Sequence, residues 1–151
     1  MASSRAKTWI WVLFFAYCGM MLWLLLFQRM SDLLQPWRYN LHFGDTVRRY
    51  LWVLRHSADP VQYRSAAANL FGNVVLFIPC GIFLPLLFSK LKDFWKFFFL
   101  IFLTIALLEL LQLLTGLGAL DVDDLTLNLA GASLGFAGCR LYQWMQKIKT
   151  V

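Results

Sequence analysis

Charge is scarce in this sequence. Lysine and arginine number 14 and aspartate and glutamate 8 in 151 residues, 15% together, where a soluble domain carries about 25%. Cysteine is limited to three residues without zinc-ligand spacing, which excludes a disulfide scaffold and a structural zinc site. Cys18, Cys80 and Cys139 each fall in a different apolar block and read as small buried apolar residues. The two histidines, His42 and His56, stand alone, with no Ser-His-Asp or H-E-x-x-H arrangement around them. No internal repeat or low-complexity tract is present. What abounds is apolar surface: 60% of residues are hydrophobic and 17% aromatic, against about 45–50% apolar in soluble domains. That load excludes disorder and points to a membrane. The net charge of +6 does not indicate nucleic acid, because the basic residues flank apolar blocks and form no stripe interleaved with surface aromatics.

Four blocks are long enough to cross about 30 Å of hydrocarbon as helices. The sequence therefore predicts an all-α integral membrane bundle of four transmembrane helices at about 9–29, 66–88, 95–114 and 121–144. Residues 1–8 and 145–151 form cytoplasmic tails around a transmembrane domain at 9–144, and 30–65 form an extracytoplasmic loop. A barrel is excluded because the blocks are continuously apolar, without period-2 alternation. The first block exceeds the h-region of a signal peptide, and Gln28-Arg29-Met30-Ser31 offers no small-residue cleavage pattern, so it is read as a retained anchor. Lysine sets the orientation in the plasma membrane: Lys7, Lys90, Lys92, Lys96, Lys147 and Lys149 fall on one side of a four-span chain, the cytoplasmic one. The outer segment carries Arg29, Arg38, Arg48, Arg49, Arg55 and Arg64 and no lysine. Arginine's planar fork suits bidentate phosphate contact. Two readings stand: a solvated loop touching membrane lipid headgroups, or a site in which Arg48, Arg49 and Arg64 hold an anionic lipid-linked envelope intermediate. Within this segment Val47 to Leu54 has the pattern of a short amphipathic helix lying on the membrane.

The informative residues are those a membrane helix avoids. Asn69 and Asn73 lie in the second span and Glu109 and Gln112 in the third; Asp121, Asp123, Asp124 and Asn128 open the fourth. An ionisable group in hydrocarbon costs at least about 2.5–3.5 kcal/mol and normally faces protein or water. Counting the helical rise, Glu109 lies roughly 8 Å below the outer end of its helix and Asn73 roughly 10 Å in. Both therefore share the outer leaflet with Asp124 and Asn128. Asp124, Asn128, Gly131, Gly135 and Gly138 step by four and three along one stripe, and Gly131-x-x-x-Gly135 is a pair at which membrane helices approach closely. The polar groups are thus expected to converge inside the bundle. Plainer roles stand beside this one: the three aspartates as caps of the fourth helix, and the amides as interhelical glue worth about 0.6 kcal/mol each. Pro79 is expected to kink the second span.

These residues sit in stretches that resemble the VanZ-like family of small membrane proteins. The resemblance rests on three helix stretches, beginning with Asn73-Val74-Val75-Leu76-Phe77-Ile78-Pro79-Cys80-Gly81 and Glu109-Leu110-Leu111-Gln112. The third is Asp121-Val122-Asp123-Asp124-Leu125-Thr126-Leu127-Asn128-Leu129-Ala130-Gly131. Weaker echoes are Trp23-Leu24-Leu25-Leu26-Phe27 and Asn40-Leu41-His42-Phe43. Two departures are visible: Cys80 replaces an aromatic, and the Asn40-Leu41 pair lacks its neighbouring proline. The resemblance implies low-level resistance to teicoplanin-type glycopeptides, which act outside the membrane on cell-wall precursors, and it leaves the chemistry open.

Three readings of that chemistry follow. In the first, Glu109, Asp121 and Asp124 are catalytic, either as ligands of a divalent cation or with Glu109 as general acid or base. Asn73, Gln112, Asn128 and the outer arginines Arg48, Arg49 and Arg64 would then bind the substrate. In the second, the protein binds or shields an envelope lipid without turnover. In the third, it is a small proton-coupled transporter, against which the lack of an inverted repeat counts.

Overall fold

The computed structural model describes residues 4–27, 39–116 and 119–149. The expected continuation of the first helix to residue 29, the Gln28–Ser31 stretch, Arg29, Arg38, and Leu117 and Gly118 of the short turn lie outside these residues. The described chain is all-α apart from one two-residue parallel bridge. Its elements are α1 (Ser4–Phe27), β1 (Tyr39–Asn40), α2 (Asp45–His56), α3 (Pro60–Leu87), α4 (Phe94–Thr115), β2 (Leu120–Asp121) and α5 (Val122–Lys149), with a 3-10 turn at Ser89–Lys92 between α3 and α4. In the bridge Tyr39 lies opposite Leu120 and Asn40 opposite Asp121.

Among the described residues there are five helices, four long ones in the regions expected to span and one short amphipathic one. The short amphipathic helix is α2, longer at each end than the Val47–Leu54 pattern. The second span begins at Pro60 rather than 66, because Asp59 caps it: the Asp59 carboxylate accepts from the Val61 N–H at 2.9 Å, and Pro60 occupies the first helical position. Arg64 thus sits on a helix, and α3 runs without a break through Pro79 and Pro85. At its other end α4 starts behind Asp93, whose side chain accepts from the Lys96 N–H at 3.0 Å. It stops at Gly116, which takes the left-handed conformation open to glycine. Among the described residues three segments are long and apolar enough to cross a membrane: Lys7–Leu24 of α1, α3 and α4. Helix α5 has the length, 28 residues, but carries Asp123 and Asp124 in its first turn and Lys147 and Lys149 in its last.

Helix α5 packs on α3 along a glycine seam. A Cβ on Gly131 would overlap the Val74 carbonyl, one on Gly135 the Ile78 carbonyl, and one on Gly81 the Ala132 carbonyl. Side chains at these points are excluded by backbone, so the two helices touch almost bare. Beside the seam Phe97 of α4 stacks on Phe136 of α5 with ring centroids 4.7 Å apart. Ile101, Ile105, Phe77, Leu84 and Ala132 complete the apolar core. Outward-facing Trp9, Phe15 and Trp23 of α1, and Phe99, Leu103 and Leu111 of α4, are exposed. A helix apolar on both its inner and outer faces belongs in lipid.

Helix α1 joins α3 through the Tyr17 hydroxyl, which donates to the Leu76 carbonyl at 2.8 Å. Tyr17→Phe keeps the ring packing and removes that bond. It is expected to lower stability by about 0.6–1 kcal/mol, readable as a small shift in the unfolding of the purified protein in mixed micelles.

Candidate functional site

At one end of the bundle the core turns polar. Glu109 and Gln112 project from the last turns of α4 and Asp124 and Asn128 from the first turns of α5; each is only 5–6% exposed. Asn73 of α3 reaches the same level, and its amide donates to Asp124 Oδ1 at 2.6 Å. Glu109 Oε2 accepts from the Asp121 N–H at 3.4 Å. Helices α3, α4 and α5 thus each contribute to one buried layer, floored by the glycine seam and by Ile105. Asn128 Oδ1 is buried and has no hydrogen-bond partner among the described residues. An unmatched buried acceptor costs about 1–3 kcal/mol, so this oxygen is where an incoming donor gains most. Asn69, by contrast, donates to the Ser65 carbonyl of its own helix and does not join the layer.

A second polar cluster sits directly above, organised by Asp123, which is 1% exposed. Its Oδ1 accepts from the Gly44 N–H at 2.7 Å, and its Oδ2 accepts from the N–H groups of Thr46 and Val47 at 2.8 and 3.1 Å. Gly44 makes this possible: at φ 88° it turns the chain so that successive amides point at one carboxylate. The carboxylate therefore caps α2, which lies 76 to 79 residues earlier in the chain. Asp121 caps α5 as the sequence allowed, accepting from the Asp123 N–H at 2.8 Å. Its other oxygen accepts from the Thr46 hydroxyl at 2.6 Å, and that hydroxyl accepts from the Asn40 amide at 2.9 Å.

The predicted residues therefore fall into three places. Glu109, Gln112, Asp124, Asn128 and Asn73 form the buried layer. Asp121 lies at its edge, joined to Glu109 through its backbone and to α2 through its side chain. Arg48, Arg49 and Arg64 are on the exposed surface of α2 and α3. Arg48 pairs with Asp45 at 3.9 Å, a surface pair of little energy, and the Arg49 guanidinium lies 5.4 Å from the Tyr50 ring centroid. Of the three carboxylates considered from sequence as cation ligands, Glu109 meets the Asp121 backbone N–H, while the Asp121 and Asp124 side chains bond to Thr46 and Asn73. Among the described residues no three His, Cys, Asp or Glu side chains are grouped to hold a metal ion. The physical reason is visible in the bonds: Asp121 is taken up by Thr46 and by its own helix, and Asp124 by Asn73.

Thr46 is the residue of this cluster that sequence reasoning did not name, and Asp123 is read there as a cap of its own helix, not of α2. The available signal was that three aspartates in four positions exceed what one helix start requires.

Comparison with known proteins gives a consistent picture. The family model VanZ/LLP1 matches residues 14–143. The chain is also similar to Protein VanZ of Enterococcus faecium, 28% identical over 126 residues, which are 83% of this chain and 68% of that protein. No solved structure matches.

Proposed function

The chain belongs to the VanZ/LLP1 family, and from that premise we propose that it is a four-span membrane protein linked to teicoplanin resistance. In this reading its buried polar layer opens outward and engages the polar head of an envelope lipid or lipid-linked cell-wall precursor. The observation that carries the reading is the layer itself: two carboxylates and two carboxamides buried on α4 and α5 in an otherwise apolar bundle, joined by half-buried Asn73 of α3, with Asn128 Oδ1 unmatched. Such a layer is expensive in a membrane unless it is used.

Helix α5 is the fourth span. Its 28 residues reach about 42 Å, and between Asp124 and Arg140 it carries no charge and is rich in Leu, Ala and Gly. With four spans, Lys7, the Lys90-Lys92-Lys96 group and Lys147-Lys149 share the cytoplasmic side, and both termini lie there. The polar layer and α2 then face outward, where glycopeptides and their targets are.

Glu109→Gln and Asp124→Asn test this, because each keeps an oxygen for the bond its carboxylate makes to Asp121 or Asn73 and removes only the charge. In a Gram-positive host expressing the chain, either variant is expected to return teicoplanin susceptibility to that of the empty host. Membrane levels, followed by blot, stay at wild type. Full protection by both variants at normal levels would remove the layer from the function.

A further inference from the structure

A cleft of about 310 Å³ opens between α2 and α3, away from the polar layer, lined by Arg49, Tyr50, Val53, Val61, Gln62, Ser65 and Ala66. We propose that it binds an anionic phospholipid, with the phosphate held by Arg49, Gln62 and Ser65 and the first part of an acyl chain lying on Val53 and Ala66. The proposal rests on the reading above only in placing the start of α3 at a membrane surface.

Three features of the cleft point to that occupant. The lining mixes a guanidinium, a carboxamide and a hydroxyl with aliphatic groups, which offers donors for a phosphate beside apolar surface for a hydrocarbon chain. The charge is of one sign: no acidic side chain lines the cleft. Arg48, Arg55 and Arg64 stand exposed on the same two helices, while Asp45 is paired with Arg48 and Asp59 is occupied in capping α3. Arginine, with its planar fork, is the residue type suited to phosphate.

The depth is the third feature. From Ala66 onward α3 carries no charged side chain, and Gln62 and Ser65 lie within about 6 Å of Ala66 along the helix axis. The polar end of the cleft therefore sits where hydrocarbon gives way to headgroups. Tyr39, Trp52 and Tyr63 of β1, α2 and α3 are exposed, and tyrosine and tryptophan are the residue types enriched at membrane interfaces. An amphipathic helix pressed against a spanning helix at that depth leaves room for a lipid between them.

The test uses the full-length protein in mild detergent and counts retained lipid by native mass spectrometry. The probes are phosphatidylglycerol, zwitterionic phosphatidylcholine, and glycerol 3-phosphate as a competitor without chains. Wild type is expected to retain phosphatidylglycerol over phosphatidylcholine, undisturbed by glycerol 3-phosphate. Arg49→Ala lowers phosphatidylglycerol binding about tenfold, and Arg49→Lys, a point charge in place of a fork, falls between. Val61→Trp, at a position whose exposure lets the larger ring fold, fills the cleft and lowers retention of phosphatidylglycerol. Arg55→Ala, which is outside the lining, binds as wild type. Equal retention of the two lipids, loss in Arg55→Ala as large as in Arg49→Ala, or displacement by glycerol 3-phosphate would each overturn the proposal. Because the readout is bound lipid and not antibiotic susceptibility, its failure leaves the polar layer to its own experiment.

Discussion

Alanine at Gly131 is expected to pull α5 away from α3, so that the membrane level and thermal stability of the protein fall well below wild type. Alanine at Gly138, seven residues along the same stripe, is expected to do no harm. The two sites differ in one respect. A Cβ at Gly131 overlaps the backbone of Val74, whereas a Cβ at Gly138 meets nothing within 4 Å. Backbone cannot turn aside as a flexible side chain can, so a methyl at Gly131 must separate the helices. Overpacking of this kind costs about 1–3 kcal/mol, occasionally more. Elsewhere in a helix the same change gains up to about 1 kcal/mol from propensity, so the signs of the two variants are opposite. The seam also sets the height of Asp124 and Asn128, which share its stripe, and its loss separates Asp124 from Asn73. Unfolding in detergent and immunoblots of membranes check the pair of variants; a Gly131→Ala protein as stable as Gly138→Ala would refute the seam.

This seam was legible in the sequence, because glycines stepping by four and three define a face. Stepping does not say how far along that face the neighbour runs. Gly131 and Gly135 lie against α3, and Gly138 lies beyond its reach. The three helices long and apolar enough to cross a membrane were legible in the same way, as long apolar runs. Their ends were not, where a local cap outranked composition: Asp59 and Pro60 start α3 six residues ahead of the apolar run at Ala66. Glu109, Gln112, Asp124 and Asn128 could be assigned to one depth because helical rise converts residue number into height. What height cannot supply is direction. Adjacent residues on a helix differ by about 100° in direction, so Asp123 and Asp124 face different parts of the molecule although they share a level. Asp124 turns to Asn73 of α3, and Asp123 turns to the start of α2, a contact between segments more than 75 residues apart. No periodicity in residues 39–47 announces that contact. Only Gly44, ahead of a helix whose first amides need an acceptor, hints at it.

That contact carries the other large effect. Asp123→Ala leaves the N–H groups of Gly44, Thr46 and Val47 without their carboxylate and removes a negative charge from the positive end of α2. Hydrogen bonds to a charged group contribute about 1.5–3 kcal/mol each. Water reaches the freed amides once α2 lifts, so the summed loss is expected to be about 3–5 kcal/mol, below the full total for three bonds. The expected signature in hydrogen exchange is local: faster exchange of the amides from Gly44 to Val47, with the amides around Ile101 and Ile105 in α4 unchanged. Asp123→Asn retains one acceptor oxygen but turns an amide group toward backbone donors, and it should fall between wild type and Ala. Thr46→Val, which removes the hydroxyl joining Asn40 to Asp121 and leaves the backbone cap intact, should have the smallest effect of the three. This order separates a carboxylate that positions α2 from one that merely fills space, since a packing role would make Asn the closest match to wild type and leave exchange at Gly44 to Val47 unchanged. Because Asp123 and Asp124 are neighbours on α5, the same backbone holds the arginine-bearing helix and the buried layer in fixed relation. A variant that frees α2 should therefore also weaken lipid retention in the cleft that α2 forms with α3. Asp123→Ala with α2 as protected as in wild type would show instead that packing on α3 alone holds that helix.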